Sequence, residues 1–156
     1  MDGVAESYQK AVRQLRTADH LLTQTYPFIQ DPKLLLTVLE NIFLALGSAM
    51  SAAIEREVMA KRIAAPMSTF DAKLDTVKLH LARPYGLRGE DLTMANEIKS
   101  ILLAHRKSPM EFVRKDTFVI CGEGYQLQTL SFAQLKQYYA RAKVFIDGIG
   151  RVIHGC

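Results

Sequence analysis

The longest apolar stretch of the chain runs from Leu34 to Ile54, LLLTVLENIFLALGSAMSAAI, and carries a single charge, at Glu40. Apolar residues lie on every side of the helical wheel here, so a helix formed by this stretch must be covered on most of its circumference. Its length also meets the criterion for crossing a bilayer. Because Glu40 and Asn41 lie inside it and amphipathic helices elsewhere can cover it, we predict that it is the central helix of a bundle, without membrane contact.

An amphipathic helix precedes the central one. Apolar residues recur every three or four positions from Val4 to Tyr26, which predicts a helix with one buried face, and Pro27 is predicted to end it. At Asp31–Pro32, a carboxylate can accept from free backbone donors and a proline is tolerated at the first helical position. The central helix is therefore predicted to begin there and to continue until Pro66, with a bend or break near Gly47.

Two shorter helices are predicted to follow. Ser68 or Thr69 is suited to cap the first of them, and the sequence Arg83–Pro84–Tyr85–Gly86 is predicted to end it. The next helix is predicted to begin near Gly89 or Glu90, and its apolar stripe places His105 at the edge of the buried face.

Strand patterns replace helical ones after Ser108–Pro109. Residues 117–121 (TFVIC) and 125–130 (YQLQTL) indicate two strands joined by a tight turn at Gly122–Gly124. Ser131 then begins a capping-box pattern before the last helix. The sequence predicts a mainly α fold: an up-and-down bundle of about five helices with a β-hairpin, about residues 117–130, before the last helix, in a single domain spanning residues 1–156.

Size, composition and motifs exclude several classes of protein. The 156 residues, 49% hydrophobic and 23% charged, are those of one ordinary globular domain. The first residues, MDGVAESYQ, lack the basic and apolar regions of a secretory signal, so a cytoplasmic location is predicted. The chain has two cysteines but no CxxC pair, and it has no HExxH, no Glu-x-x-His and no Gly-rich phosphate loop. We therefore predict no metal site and no cofactor.

The positive charge is concentrated in one region. Between Lys78 and Lys115 the sequence has eight basic and four acidic residues, which accounts for the whole net charge of +4. Within this region His105 is followed by Arg106 and Lys107. Neighbouring cations favour the neutral imidazole, which suits a base or a hydrogen-bond partner for phosphate. The alternative is a helix C-terminus, where cations complement the helix dipole without any ligand.

The order of the elements carries a family resemblance. Two long N-terminal helices and a shorter pair precede the segment EIKSILLAHRKSP, and the last helix is introduced by TLSFAQLKQYYARAKVFI. Together they resemble the HEPN superfamily and its uncharacterised archaeal relatives. HEPN ribonucleases carry an Arg, often followed by Asn, four to six residues before a His on one helix, and two subunits bring their copies together to cleave RNA. The matching positions here are Lys99, Ser100 and His105, and the resemblance implies a homodimer.

Three functional hypotheses follow. Lys99 cannot offer the bidentate fork of an Arg, so a HEPN-like binding or scaffold module that recognises RNA, a nucleotide or a protein partner is expected rather than an enzyme. The alternative is a metal-independent ribonuclease with His105 as acid or base and Lys99 stabilising the phosphate. A third hypothesis is an interaction protein whose hairpin adds a strand to a partner's sheet. The candidate phosphate- or ligand-binding residues are Lys99, Ser100, Arg106, Lys107, Arg114 and Lys115.

Overall fold

The computed structural model describes residues 3–108, 110–122 and 126–155. It confirms a mainly α fold, in which a small antiparallel sheet precedes the last helix. The main helices are α1 (Gly3–His20), α3 (Lys33–Met59), α4 (Phe70–Thr76), α5 (Gly89–Lys107) and α6 (Phe132–Ile153). A four-residue helix, α2 (Tyr26–Ile29), lies between α1 and α3.

The predicted end of the first helix at Pro27 is wrong. The chain passes from α1 through a wider π-helical turn, Leu21–Thr25, directly into α2, and it leaves the helical path only at Gln30, where φ is +55°. Proline has no N–H to donate and its ring clashes with a carbonyl of the preceding turn. The wider turn immediately before Pro27 is where the helix absorbs this interruption.

The central helix is α3, and it is continuous through Gly47 rather than broken there. Its start is as predicted, since the Asp31 carboxylate accepts from the backbone N–H of Lys33 at 3.0 Å. It ends at Met59, seven residues before Pro66, because Lys61 adopts φ of +61° and the N–H of Arg62 bonds to the carbonyl of Glu57.

By length and composition α3 could cross a membrane, with 44% of its most apolar window buried inside the protein. A core helix of a bundle meets the same criterion. The helix packs against α1, α4, α5 and α6, and it supplies the largest group of buried side chains in the described core, among them Leu35, Leu39, Ile42, Leu46 and Met50.

Two predicted helix caps are confirmed. The Thr69 hydroxyl accepts from the N–H of Ala72 at the start of α4, and the Ser131 hydroxyl accepts from the N–H of Gln134 at the start of α6. Each bond satisfies a backbone donor that has no partner within its helix. A second π-helical turn, Val77–Leu81, continues α4 up to the predicted break.

The sheet has three strands where the sequence predicted two. Strands β2 (Thr117–Cys121) and β3 (Leu127–Leu130) form the predicted antiparallel hairpin, while β1 (Met110–Arg114) pairs with the other edge of β2. Part of the predicted turn at Gly122–Gly124 lies outside the described residues. Phe118, Ile120 and Leu130 belong to the main core, so one face of the sheet packs on the bundle.

A buried carboxylate joins the end of α3 to the loop before α5. Glu57 is only 5% exposed, and its side chain accepts from Arg62 Nε at 2.6 Å, from Arg56 Nη1 at 2.8 Å and from the Tyr85 hydroxyl at 2.8 Å. The hydrogen bond from Arg62 is the main cause that holds the pKa of Glu57 below its usual value. Burial, followed by the hydrogen bond to Glu57, raises the pKa of Tyr85 to about 12. These hydrogen bonds therefore hold two loops, the one that contains Arg62 and the one that contains Tyr85, against α3.

The first and last helices meet at a glycine. The Tyr8 hydroxyl of α1 donates to the carbonyl of Ile146 in α6 at 3.2 Å, and a Cβ placed on Gly150 would lie 2.2 Å from that hydroxyl oxygen. No side chain can occupy this position without moving the tyrosine. The close approach of α1 and α6 therefore depends on Gly150.

Candidate functional site

The C-terminal end of α5 and the sheet form one continuous structure. The last turn of α5 carries His105, Arg106 and Lys107. Ser108 follows, and its hydroxyl lies within hydrogen-bond distance of the Met110 carbonyl, at 2.6 Å, and of the Cys121 carbonyl, at 2.8 Å. Because these carbonyls belong to the ends of β1 and β2, Ser108 fixes the orientation of the helix end relative to the sheet.

Four predicted binding residues lie exposed at the two ends of β1, two of them in the last turn of α5. Arg106 and Lys107 end α5, Arg114 ends β1, and Lys115 occupies the turn between β1 and β2 with φ of +57°. Among the described residues, none of the four forms an ion pair with a carboxylate. We call these four residues the basic surface. Their charge is therefore available to an external anion.

The sheet carries apolar side chains beside the basic surface. Alternate residues of a strand point to opposite faces, so Met110, Phe112 and Arg114 share one face of β1. Phe112 is paired with Val119, whose neighbours Phe118 and Ile120 point into the core. The face that bears Phe112 is therefore the outer face, and Met110 and Phe112 remain 60% and 41% exposed.

His105 is held by a carboxylate. Its Nδ1 lies 2.5 Å from Oε2 of Glu111, which points from the inner face of β1. The side chains of His105 and Glu111 are 30% and 25% exposed. A partner on Nδ1 fixes the orientation of the ring and leaves Nε2 as the atom that can meet a ligand.

Lys99 and Ser100 do not join His105. Lys99 Nζ lies 2.5 Å from Oδ1 of Asp71, so its charge is used in a contact between α5 and α4. The hydroxyl of Ser100 donates to the carbonyl of Asn96 in the preceding turn. His105 is six positions after Lys99, which places the two residues about 120° apart around a helix. The structure therefore does not bring together the predicted motif residues Lys99 and His105.

A groove of about 300 Å³ opens next to the basic surface, between α5 and the strand β3. We call it the α5–β3 groove. Its lining includes two predicted site residues, Ser100 and Lys107, and two that sequence reasoning missed, Gln126 and Gln128. The missed residues had a signal in the sequence. Gln126 and Gln128 precede Leu130 at two-residue spacing, which places all three on one face of an extended chain. Because Leu130 is a core residue, this face is turned towards the bundle.

A second polar groove, of about 580 Å³, lies between α5 and α6. Here Tyr138 donates a hydrogen bond to the Glu97 carboxylate and accepts one from Gln134. Burial, followed by the Glu97 contact, raises the pKa of Tyr138 to about 12, so the phenol is protonated at neutral pH. Arg141 in this groove lies 3.4 Å from the buried carboxylate of Asp91. This groove therefore lacks the uncompensated positive charge of the basic surface.

Within residues 3–108, 110–122 and 126–155, no group of three or more His, Cys, Asp or Glu side chains is arranged to hold a metal ion. Comparisons with known protein families, with curated proteins and with solved structures find no match to this chain. The functional interpretation therefore rests on the geometry around α5 and the sheet.

Proposed function

We propose that this chain is a binding module that recognises single-stranded RNA through the basic surface and the outer face of the sheet. The observation that carries the proposal is a set of four exposed cations that have no carboxylate partner among the described residues, one of which, Arg114, shares a strand face with the exposed ring of Phe112. Single-stranded nucleic acids are bound by this combination of positive charge along the backbone and aromatic side chains under the bases.

The geometry matches the two parts of such a ligand. Arg114 and Phe112 point from the same face of β1, so a phosphate at the guanidinium and a base over the ring can belong to neighbouring nucleotides. Arg106 and Lys107 continue the positive charge beyond the other end of the strand. Each neutralised phosphate of a single strand contributes about 0.7 to the slope of log K against log salt, so four contacts predict a slope of about −3.

Fluorescence anisotropy with a labelled single-stranded RNA of about 12 nucleotides, within the usual site size of a small domain, tests the proposal over a range of salt concentrations. We expect measurable affinity at low salt, and we expect both affinity and salt slope to fall when the basic surface is changed to glutamine. The matched control changes four exposed cations of α1 and α3 to glutamine and should leave both quantities unchanged: Lys10, Arg13, Arg16 and Lys33.

Phe112→Ala separates stacking from charge. Loss of one stacked base costs about 1–3 kcal/mol, so the variant should bind RNA roughly 5-fold to 150-fold more weakly with an unchanged salt slope. Absence of binding at low salt would contradict the proposal. Equal binding by the wild type and the glutamine variant of the basic surface would contradict it as well.

A second candidate function is metal-independent RNA cleavage, and the contact between His105 and Glu111 favours it. A carboxylate on Nδ1 orients an imidazole for general acid or base catalysis through Nε2. Lys99 is a poor phosphate stabiliser for this reaction because it is paired with Asp71. In the presence of EDTA, His105→Ala should abolish cleavage and keep RNA affinity; cleavage at the wild-type rate by His105→Ala would exclude this function.

A further inference from the structure

The α5–β3 groove has the size and position of a subsite for one nucleotide. At about 300 Å³ it lies at the lower limit for pockets that bind small molecules. Lys107 belongs both to this groove and to the basic surface. A strand that follows the basic surface can therefore place one base in the groove while Lys107 contacts an adjoining phosphate.

The lining combines apolar side chains with amide groups that have no hydrogen-bond partner in the described part of the chain. Leu103 and Ala104 of α5 form the apolar part, and Leu103 is 36% exposed. The side-chain carboxamides of Gln126 and Gln128 form no hydrogen bond with any other described residue. Each carboxamide offers an acceptor oxygen next to a donor nitrogen. The lining thus combines two carboxamides that have no hydrogen-bond partner among the described residues with apolar side chains on which the flat side of a base can lie.

We propose, on the basis of the RNA-binding function above, that the α5–β3 groove binds an unpaired adenine. The amino group of adenine has two N–H bonds, one beside the acceptor N7 and the other beside the acceptor N1, so two carboxamides can each form a paired donor–acceptor contact with the same base. Uracil has only one N–H on its pairing edge. Cytosine has an acceptor beside only one of its two amino hydrogens. Of these three bases, adenine is therefore the one that can use both Gln126 and Gln128.

The experiment compares two labelled RNAs of about 12 nucleotides, within the span of one small domain: an oligouridine, and the same oligomer with adenine at every third position. Both are measured by anisotropy at one salt concentration. A good bidentate contact discriminates between bases by about 5-fold to 150-fold, so the wild type should bind the adenine-containing RNA roughly tenfold more tightly. The double variant Gln126→Leu with Gln128→Leu should lose this preference and keep its affinity for oligouridine.

Gln137→Leu, at an exposed position of α6, is the matched control and should keep the preference. The double variant retains Phe112, so a preference that came from stacking on the outer face would survive in it and would overturn the adenine subsite. Equal binding of the two RNAs by the wild type would also overturn the subsite while leaving RNA binding intact. Failure to bind either RNA at low salt would refute the RNA-binding function itself.

Discussion

Replacing Glu57 by glutamine is expected to destabilise the protein more than any change of an exposed acidic residue. The carboxylate is buried and accepts hydrogen bonds from two arginines and from Tyr85. Breaking a buried charged pair costs about 3–5 kcal/mol, but Arg56 and Arg62 are 36% and 54% exposed and can return to water. We therefore expect the free energy of unfolding to fall by about 2–4 kcal/mol.

Thermal unfolding followed by circular dichroism measures this change. For a chain of this size each kcal/mol lowers Tm by about 2–4 °C, so Glu57→Gln should melt roughly 10 °C below the wild type. Glu40→Gln is the control, because Glu40 is exposed on the same helix and surface substitutions change stability by at most about 0.5 kcal/mol. If both variants melt within about 2 °C of the wild type, the cluster around Glu57 does not stabilise the fold and the reasoning is refuted.

The same cluster predicts a dependence of stability on pH. The pKa of Glu57 is lower in the folded chain than its usual value of 4.5, so the unfolded chain binds this proton more readily. The stabilisation is therefore complete above pH 4.5 and is lost as the pH falls through the folded pKa. In Glu57→Gln the fall in Tm on acidification should be smaller than in the wild type, since the glutamine does not titrate.

Two further predictions concern packing and assembly. Gly150→Ala should lower the free energy of unfolding by about 1–3 kcal/mol, because the added Cβ meets the Tyr8 hydroxyl. Urea denaturation measures this change. Gly89→Ala is the control and should be close to neutral, because the space around its Cβ is open. Light scattering should give a homodimer, with twice the 17.5 kDa mass of one chain, as the HEPN resemblance implies, whereas a monomer would remove the composite site that the ribonuclease hypothesis needs.

The sequence predicted the helices whose signals are local. The Leu34–Ile54 stretch has apolar residues on all sides, which only a central helix can bury, and Thr69 and Ser131 cap their own helices. Strand β1 was missed because its residues, MEFVR, include two charges, and it forms through pairing with β2 rather than through any pattern of its own. The end of α3 was misplaced because Arg62 turns back to Glu57, a contact that no periodicity indicates.

The candidate site also has one part that the sequence predicted and another that it could not predict. The cations of the basic surface could be predicted from the distribution of charged residues along the sequence, because an exposed charge needs no partner on another element. The contacts of Lys99 with Asp71 and of His105 with Glu111 depend on how α5 packs against α4 and β1. Such contacts join residues on different elements, so the sequence could name the side chains but could not show which of them face one another.

The central position of α3 determines how the protein opens. Because α1, α4, α5 and α6 all pack on it, the backbone amides on its buried face are shielded until the surrounding helices separate. We expect hydrogen–deuterium exchange in α3 to occur only through global unfolding, whereas the edge strand β1 should exchange through local opening. The fold would then be a single cooperative unit around α3, and the proposed RNA-binding surface, which includes β1, would be the part that opens most readily.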